Sequence, residues 1–350
     1  MKKADIIVDL QFGSTGKGAL AGYLAMTRDY DTVVTANRPN AGHTFIDAAG
    51  NEMIHKILPN SAVGPKVDTV LIGPGAVFDM AQLLKEINTL ELFGYDKFQV
   101  FIHEAAVLVT DEHRKGEEGY SRIGSTRQGA ATAIMQKLER DEDADPTVKH
   151  RSAIPHARVS VVCPAFYAER VRAAKSMLLE GAQGYSLGID AGFWPYCTSR
   201  NCTVAQFLAD MAIPHSYVRK VIGTARTYPI RVAGNSGPCY EDQREITWAG
   251  LGQIEELTTV TKKVRRVFTF SVKQVYDAIV ANQPDEIFLN FCNYLDTEKT
   301  IKLANCIQAL LDEAGPTGSR VKYFGHGPGL HDMREVCEAA KTPTIGSEEC

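Results

Sequence analysis

The sequence has none of the patterns that mark a secreted, zinc-binding or membrane-spanning chain. Its eight cysteines are scattered without a C-x-x-C pair, which argues against a zinc site and against a disulfide framework. There is no long apolar run and no signal-peptide pattern, because the chain leads from Met1 directly into a strand pattern. We therefore expect a cytoplasmic protein with reduced thiols and no membrane partner.

Basic charge is also scarce. The formal net charge is −4 and no basic block occurs, so polymeric nucleic acid is not an expected partner. Small anions remain possible ligands, because a local cluster can be basic within a mildly acidic chain. With 350 residues, 44% of them hydrophobic, the chain can bury a large core. No repeat or linker pattern divides it, and we expect a single domain over residues 1–350 with inserted loops.

Strand-like and helix-like segments alternate along the chain. Short β-branched runs such as Ile6-Ile7-Val8 and Thr32-Val33-Val34-Thr35 predict buried strands, whereas residues 80–90 and 301–311 have helical patterns. This alternation predicts an α/β fold with a largely parallel central sheet and flanking helices. In folds of this kind, ligands bind at the carboxyl ends of the strands.

A glycine-rich segment follows the first predicted strand. Gly13, Gly16 and Gly18 allow close backbone approach, so amide groups at a helix N-terminus can face phosphate oxygens. Lys17 adds a cationic donor. The P-loop pattern is not met, since it requires a glycine at Gln11 and a Ser or Thr in place of Gly18. An ordinary strand-to-helix turn is the alternative interpretation.

Three later segments carry further polar groups. In Asn40-Ala41-Gly42-His43-Thr44, the histidine of a polar loop can protonate a phosphoryl-bearing oxygen, although a purely structural histidine is the alternative. The hydroxyls of Ile123-Gly124-Ser125-Thr126, with Arg140 nearby, can hold a monophosphate or simply cap a helix. The glutamine of Glu180-Gly181-Ala182-Gln183-Gly184 follows an apolar run, where a buried amide can read a base edge.

Taken in this order, the motifs resemble those of the adenylosuccinate synthetase family and span most of the chain. The matching segments are Gly13-x-x-Gly16-Lys17-Gly18, Asn40-Ala41-Gly42-His43-Thr44, Ile123-Gly124-Ser125-Thr126, Glu180-Gly181-Ala182-Gln183-Gly184, Pro195-Tyr196-x-Thr198-Ser199 and Gly327-Pro328. The resemblance implies that fold and a ligase that phosphorylates the 6-oxygen of a purine nucleotide, after which the aspartate amine displaces phosphate. Phosphoryl transfer is required because a purine oxo group is a poor leaving group.

The resemblance also implies roles for individual residues. His43 would be the acid near the 6-oxygen, and Lys17 would stabilise the migrating phosphoryl group. Mg²⁺ would be held by Ser14, the Gly42 carbonyl and the donor phosphates. The residues expected to contact the donor nucleotide are Gly13, Thr15, Gly16, Lys17, Gly18, Gly42, His43, Thr44, Asn290, Asn293, Gly327 and Pro328. Those expected to contact the monophosphate substrate are Ser14, Asn40, Ser125, Thr126, Arg140, Gln183, Leu187, Thr198 and Val232.

Ser14 departs from the family pattern. Family members carry an aspartate at this position, which removes the N1 proton of inosinate and also contacts magnesium. A serine hydroxyl is too weak to act as a free base at neutral pH, so this role must lapse or move. Serine is also shorter and leaves room for a group on purine C2, such as the 2-amine of guanine. The substitution matches the phage branch of the family, whose substrate is dGMP.

The segment Asn290-Phe291-Cys292-Asn293 is a second departure. The family reads GTP with a Thr-Lys-Leu-Asp segment, and this chain has neither the lysine nor the aspartate. A neutral asparagine amide can pair with an adenine edge and Phe291 can pack on the base, which favours ATP or dATP as the donor. A strand end without a ligand is the alternative.

Two further assignments follow from the resemblance. Thr261, Lys263 and Arg265 align with the family's aspartate loop, where Arg265 can clamp a carboxylate bidentately; a solvated basic face is the alternative. Arg140 is the best match for an arginine that reaches the nucleotide phosphate of a partner subunit, which implies a homodimer.

The resulting hypothesis is a ligase that joins L-aspartate to C6 of dGMP with hydrolysis of ATP or dATP. Its product would be N6-succino-2-amino-2'-deoxyadenylate, a precursor of 2-aminoadenine DNA, made in the host cytoplasm if the chain is phage-encoded. The first alternative is an ordinary adenylosuccinate synthetase acting on IMP. A nucleotide kinase and a catalytically inactive nucleotide-binding regulator are alternatives of other classes.

Overall fold

The computed structural model of the protein describes residues 2–119, 125–150, 154, 156–258 and 262–336. Strands and helices alternate along these residues, as the sequence predicts. The strands are β1 (Ala4–Asp9), β2 (Thr32–Thr35), β3 (His43–Ile46), β4 (Glu52–His55), β5 (Thr69–Ile72), β6 (Val77–Phe78), β7 (Gln99–His103), β8 (Val107–Leu108), β9 (Val159–Val162), β10 (Met177–Glu180), β11 (Val218–Arg226), β12 (Ile230–Arg231), β13 (Glu245–Ile246), β14 (Arg266–Phe268), β15 (Glu286–Asn290), β16 (Arg320–Gly325) and β17 (Met333–Glu335). The α-helices are α1 (Lys17–Thr27), α2 (Met80–Leu92), α3 (Asp111–Gly116), α4 (Ala130–Glu139), α5 (Pro164–Ala173), α6 (Val204–Met211), α7 (Trp248–Leu251), α8 (Val272–Asn282) and α9 (Thr297–Ala314).

A ten-stranded sheet forms the centre of the described part of the chain, in the order β17-β16-β15-β11-β1-β10-β2-β5-β7-β9. Each neighbouring pair is parallel except β16 and β17. The predicted α/β fold with a largely parallel sheet is confirmed. The single domain with inserted loops stays a prediction. Among the described residues, no helix is both long and apolar enough to cross a membrane.

The central strand β1 shows why the sequence forms this sheet. All six of its residues are buried, and it pairs with β10 on one side and β11 on the other. Parallel strands covered on both faces are continuous apolar runs, which explains Ile6-Ile7-Val8. The helix α1 follows β1 directly and buries Leu20 and Leu24 completely.

Small sheets lie outside the central one, and the sequence pattern does not predict them. Among the described residues these are the two-stranded sheets β3–β4 and β6–β8 and a three-stranded sheet with the strand order β12-β14-β13. The prediction that His43 lies in a loop is wrong, because His43 is the first residue of β3 and lies opposite His55 of β4. A strand of four residues that alternates between buried and half-buried positions is too short to give a clear period.

Close packing of α1 on β3 gives a test of the fold. Gly22 of α1 faces the Phe45 ring, and a Cβ at Gly22 would lie 2.4 Å from Phe45 Cδ2. Alanine raises helix propensity by about 1 kcal/mol, whereas overpacking a core costs about 1–3 kcal/mol. Three atoms of the Phe45 ring would lie within 2.7 Å of the added Cβ, which places the overpacking cost near the upper end of this range. We therefore expect Gly22→Ala to lower the free energy of unfolding in urea by about 1–2 kcal/mol.

Gly119→Ala is the matched control for this substitution. Gly119 is exposed, and a Cβ there would have no atom within 4 Å. Its free energy of unfolding should stay within about 0.5 kcal/mol of the wild type. If Gly22→Ala is as stable as this control, α1 is not packed on β3 as described.

Candidate active site

Polar side chains end the five neighbouring strands in the middle of the sheet. In spatial order, β15, β11, β1, β10 and β2 end at Asn290, Arg226, Asp9, Glu180 and Thr35. None of the five is more than 5% exposed. Because these strands are parallel, their carboxyl ends meet at one edge of the sheet, where ligands bind in such folds.

The glycine-rich loop leaves this edge from β1 and enters α1. Gly13, Ser14 and Gly16 have φ angles of 96°, 56° and 92°, in the left-handed region that favours glycine. At Gly16 space also excludes a side chain, since a Cβ would lie 2.0 Å from Asn290 Nδ2. The side chain of Ser14 is exposed at the tip of the loop. The loop therefore places backbone amides at a helix N-terminus, as a phosphate site requires.

Lys17 is the first residue of α1 and is 4% exposed. Its Nζ donates to Asp9 Oδ2 at 3.0 Å, and Thr15, which is fully buried, donates its hydroxyl to the same oxygen. Asp9 was missed at the sequence level. Its signal is an acidic residue that ends a buried strand immediately before the glycine-rich loop.

His43 lies against the same helix N-terminus. A Cβ at Gly18 would lie 2.8 Å from His43 Cβ and 3.1 Å from the backbone nitrogen of Thr44, so the two motifs predicted to act together are adjacent. His43 is 7% exposed, and its Nδ1 is hydrogen-bonded to Glu180 Oε1. Because a carboxylate only accepts, Nδ1 donates and Nε2 is left to exchange a proton with a ligand.

The other carboxylate oxygen of Glu180 is also engaged. It accepts from the backbone nitrogen of Asn60 at 2.9 Å, so the carboxylate that orients His43 is itself held in place. His55, opposite His43, is 1% exposed. Burial lowers the pKa of His55 to about 4, although the Glu180 carboxylate opposes the shift. His55 is therefore neutral at pH 7 and adds no charge beside His43.

Gln183 lies beyond the end of β10 with a φ of 64° and is 7% exposed. Its Oε1 accepts from Arg200 at 3.1 Å, and its buried Nε2 has no partner among the described residues. The hydroxyl of Thr198 and the amide oxygen of Asn40 are also buried without a partner in that part of the chain. Proteins rarely leave such groups unsatisfied, so these atoms are candidates to contact a ligand.

Two buried arginines contact the residues around these unpartnered atoms. Arg200 donates to Asp210 Oδ2 at 2.7 Å, and Arg38 donates to the hydroxyl of Ser199 at 2.7 Å. Burial, together with the nearby charge of Arg200, lowers the pKa of Arg38 to about 9. Arg200 is paired with Asp210, whereas no ion pair of Arg38 is found among the described residues, so Arg38 is the guanidinium that an anionic ligand would stabilise.

Leu187 and Val232 flank the loop on its other side. Leu187 packs against the buried rings of Phe12, Phe193 and Tyr240, and a Cβ at Gly13 would lie 3.9 Å from it. Val232 is half-buried and follows Arg231, whose guanidinium lies 4.4 Å from the centre of the Phe12 ring. Leu187 therefore lies beside the glycine-rich loop, whereas Val232 is placed only as the neighbour of an arginine that contacts Phe12.

The segment predicted to bind the substrate phosphate is less connected to this site. The Ser125 hydroxyl accepts from the backbone nitrogen of Arg127 at 3.1 Å, and Thr126 Oγ1 is buried without a partner in the described ranges. Arg140 ends α4 as an exposed residue with a φ of 58°. Within the described residues, no hydrogen bond or ion pair links Arg140 to the edge of the sheet.

Asn290 and Asn293, at and just after the end of β15, are both predicted to contact the donor nucleotide, but their side chains have different surroundings. Asn290 Nδ2 donates to the Thr15 carbonyl at 3.2 Å, and its Oδ1 accepts from the backbone nitrogen of Phe291. The Phe291 ring has the Arg226 guanidinium 3.7 Å from its centre, so that face is covered. Asn293 is exposed and makes no hydrogen bond within the described part. Asn293, rather than Asn290, therefore has an amide available for a base.

Gly327 and Pro328 lie in the loop after β16. Gly329 of the same loop forms a parallel bridge with Ile46 at the end of β3. A Cβ at Gly327 would lie 2.4 Å from Asp332 Oδ2, which explains the glycine. The loop is thus next to the strand that carries His43 and Thr44.

Arg226 connects the glycine-rich loop to the predicted aspartate loop and was not anticipated. It is fully buried, and its NH1 donates to the Ser14 carbonyl and to Glu256 Oε2, both at 3.2 Å. Its NH2 bonds Glu256 Oε1. The pKa of Glu256 is lowered, because Arg226 and the Tyr294 hydroxyl outweigh the opposing effect of burial. No local sequence pattern marks this pair.

Of the predicted aspartate-binding residues, Thr261 lies outside the described residues. Lys263 is exposed, as a solvated cation would be. Arg265 is half-buried; its Nε donates to the Leu257 carbonyl at 3.2 Å, and its backbone nitrogen donates to the Glu256 carbonyl at 2.8 Å. Burial lowers the pKa of Arg265, with the Glu256 carboxylate opposing. Arg265 is thus held close to Arg226 and Glu256.

Comparisons with known proteins agree with this arrangement. The family model described as adenylosuccinate synthetase matches residues 6–145 and 156–322. The N6-succino-2-amino-2'-deoxyadenylate synthase of Vibrio phage phiVC8 is 48% identical, over 95% of this chain and 98% of the relative. The adenylosuccinate synthetase of Chlorobium chlorochromatii (strain CaD3) is 30% identical, over 88% of this chain and 80% of its own length.

Solved structures give the same result. The succinoaminodeoxyadenylate synthetase of cyanophage S-2L, bound to dGMP and to dATP as an energy donor, superposes with a TM-score of 0.86 at 38% identity, covering 96% of this chain and 95% of that one. The fold also matches the fully ligated adenylosuccinate synthetase of Plasmodium falciparum, with a TM-score of 0.77 at 18% identity, covering 95% and 99%. The motifs, the fold and the matched family model lead to one conclusion: the chain belongs to the adenylosuccinate synthetase family.

Proposed function

We propose that this chain joins L-aspartate to C6 of dGMP with ATP or dATP as the donor, giving N6-succino-2-amino-2'-deoxyadenylate. The observation that carries the proposal is Ser14, an exposed neutral residue at the tip of the glycine-rich loop. Further support comes from four phage relatives that are N6-succino-2-amino-2'-deoxyadenylate synthases and are 39–48% identical to this chain. The dGMP and dATP bound in the cyanophage structure support the same substrates.

The chemistry has two steps. First, the γ-phosphoryl group moves from the donor to the guanine 6-oxygen while the N1 proton passes to water, because the Ser14 hydroxyl is too weak a base to accept it. The aspartate amine then attacks C6, phosphate leaves with the former 6-oxygen, and the amine nitrogen releases a proton. Lys17 stabilises charge on the migrating phosphoryl group at the N-terminus of α1, and His43 holds a proton at Nε2 for the 6-oxygen.

The residues of the loop fit a magnesium ion that is bound mainly through phosphates. Within the described residues, no group of three or more His, Cys, Asp or Glu side chains is placed to hold a metal ion. Mg²⁺ at phosphoryl-transfer sites is usually held by one or two protein groups, waters and substrate phosphates. The Ser14 hydroxyl and the Gly42 carbonyl would hold it, and the bound ion would neutralise charge on the β- and γ-phosphates.

A substrate panel tests the proposal as a whole. Purified protein is given aspartate with dGMP, GMP, dIMP or IMP, and ATP, dATP or GTP, and phosphate release and product mass are followed. We expect turnover of dGMP with ATP or dATP. Turnover of IMP alone would favour the ordinary purine reaction, and nucleotide binding without phosphate release would favour an inactive regulator. A strong preference for GTP would contradict the assignment of Asn293.

A substitution at Ser14 tests the source of specificity. Ser14→Asp adds a carboxylate and fills the space assigned to the 2-amine, and a residue in the left-handed region tolerates Asp or Asn. We expect kcat/KM for dGMP to fall by about tenfold or more, and the ratio of dIMP to dGMP turnover to rise, as one to two kcal/mol of discrimination implies.

Ser14→Asn is the matched control for this test, because it has nearly the size of Asp without its charge. If Ser14→Asp turns over dIMP because its carboxylate acts as a base, Ser14→Asn, which has no carboxylate, should stay inactive with dIMP. Equal substrate ratios for wild type and both variants would mean that Ser14 does not read purine C2.

We also propose that the enzyme works as a homodimer in which Arg140 contacts the nucleotide phosphate of the partner subunit. Supporting this, Arg140 is exposed, and Met135 and Leu138 on the same helix are apolar side chains 46% and 69% exposed. A closed twofold dimer would cover such a face and complete two sites at once.

Mixing two inactive variants tests the shared site. His43→Asn and Arg140→Leu are each expected to lose most activity alone. In a mixed dimer one site regains both wild-type residues, so remixing should restore about a quarter of the wild-type activity. No recovery after verified subunit exchange would place Arg140 outside the partner's site.

A further inference from the structure

Asp9, like Arg226, is a buried charge of this site to which the motifs assign no role. We propose that Asp9 is the positioning residue of the glycine-rich loop: it orients Lys17 and Thr15 while the donor site is empty, and it shares Lys17 with the phosphoryl group when the donor binds. This inference rests on the proposed function and concerns the donor half of the same site.

Both oxygens of Asp9 are used to shape the loop. Oδ1 accepts from the backbone nitrogens of Gln11 at 2.9 Å and Gly13 at 3.2 Å. Oδ2 accepts from the Thr15 hydroxyl and from Lys17 Nζ. One carboxylate therefore holds two backbone groups and two side chains that lie within eight residues of it. An ionised acceptor makes each of these hydrogen bonds stronger than a neutral one would.

The carboxylate is fixed in this position by its surroundings. A Cβ at Gly184 would lie 2.5 Å from Asp9 Oδ1 and 2.4 Å from the backbone nitrogen of Gly13, so the backbone at Gly184 closes one side. Thr15 Oγ1 lies 2.5 Å from Thr224 Oγ1 on the neighbouring strand. Four hydrogen bonds and the Gly184 backbone therefore hold the Asp9 carboxylate against the loop.

Among the described residues, Asp9 is the only carboxylate within ion-pair distance of Lys17. Residues 11–18 contain neither Asp nor Glu, and the pair with Asp9 is the ion pair that Lys17 makes within the described residues. Since both groups are buried, an unpaired Lys17 would carry a large desolvation penalty. Asp9 therefore keeps a charged lysine ordered at the helix N-terminus before any phosphate arrives.

This arrangement has opposite consequences for binding and for chemistry. A pre-ordered lysine loses little side-chain freedom when the phosphoryl group moves, which favours the transition state. The Asp9 charge also repels the triphosphate of the donor, which weakens ground-state binding. Asp9 should thus raise kcat at the expense of donor affinity, whereas a merely structural residue would change neither selectively.

Asp5 offers a matched control on the same strand. It is 1% exposed, like Asp9, and it pairs with Arg219 at 2.7 Å and with the Tyr30 hydroxyl at 2.6 Å. It lies near the opposite end of β1, away from the glycine-rich loop. Asp5→Asn removes an equally buried charge without touching the site.

The test compares Asp9→Asn with Asp5→Asn in the full-length protein. Steady-state kinetics give kcat and KM for dATP, calorimetry gives the Kd of inorganic tripolyphosphate, and thermal unfolding gives Tm. For Asp9→Asn we expect kcat to fall by about tenfold or more, with a lower KM and tighter tripolyphosphate binding. Asp5→Asn should lower Tm and leave kcat, KM and Kd within about twofold of wild type. Weaker tripolyphosphate binding by Asp9→Asn, or a profile equal to that of Asp5→Asn, overturns the proposal.

Thr15→Val keeps the proposal testable if Asp9→Asn does not fold. It removes one neutral donor from Asp9 Oδ2, which strengthens the remaining bond to Lys17 and makes Lys17 less available. The KM for dATP and the Kd for tripolyphosphate should therefore rise, opposite to the effect of Asp9→Asn; unchanged values contradict the role of Asp9. If the wild type makes no product from dGMP, the proposed function fails, while tripolyphosphate binding by these variants still decides the role of Asp9.

Discussion

The active site depends on the parallel order of five strands that all end at one edge of the sheet. Three charged and two neutral polar side chains meet there, and none is more than 5% exposed: Asp9, Glu180, Arg226, Thr35 and Asn290. Burying a charge is tolerated only when a partner compensates its lost hydration. Each charged strand end has such a partner: Lys17 for Asp9, His43 for Glu180 and Glu256 for Arg226. The segments that follow the strands are therefore held to the sheet by two ion pairs and by the hydrogen bond between His43 and Glu180.

Arg226 joins the glycine-rich loop to the loop proposed to bind aspartate. It contacts the Ser14 carbonyl, the Phe291 ring and the Glu256 carboxylate, and the Glu256 backbone in turn accepts from Arg265. One buried guanidinium therefore contacts both the glycine-rich loop and the loop proposed to bind aspartate. In a two-step reaction, this suits a site where the second substrate must meet an intermediate formed from the first.

The predictable features are those with a local signal. The central strands were predicted because burial on both faces requires continuous apolar runs, and Lys17, His43 and Gln183 because they lie in recognisable motifs. The residues that orient these groups were not predicted, because they are distant in the sequence. His43 and Glu180 are 137 residues apart, and Arg226 and Ser14 are 212 residues apart. The different surroundings of Asn290 and Asn293 could not be predicted for the same reason. Only tertiary contacts reveal that Asn290 is committed to the Thr15 carbonyl and that Asn293 is available.

The distribution of charge along the glycine-rich loop explains why a neutral residue can occupy position 14. The tip is neutral at Ser14, whereas the inner end carries Asp9, whose carboxylate is covered by its own loop and by Gly184. Negative charge is therefore available to hold Lys17 but is kept away from the exposed tip. A neutral hydroxyl at the tip can accept a hydrogen bond from an amine on purine C2, which a hypoxanthine ring lacks. A serine in place of the family's aspartate is then compatible with the proposed activity, because Asp9 still supplies negative charge to hold Lys17 and position 14 is left neutral where we propose that it meets the base.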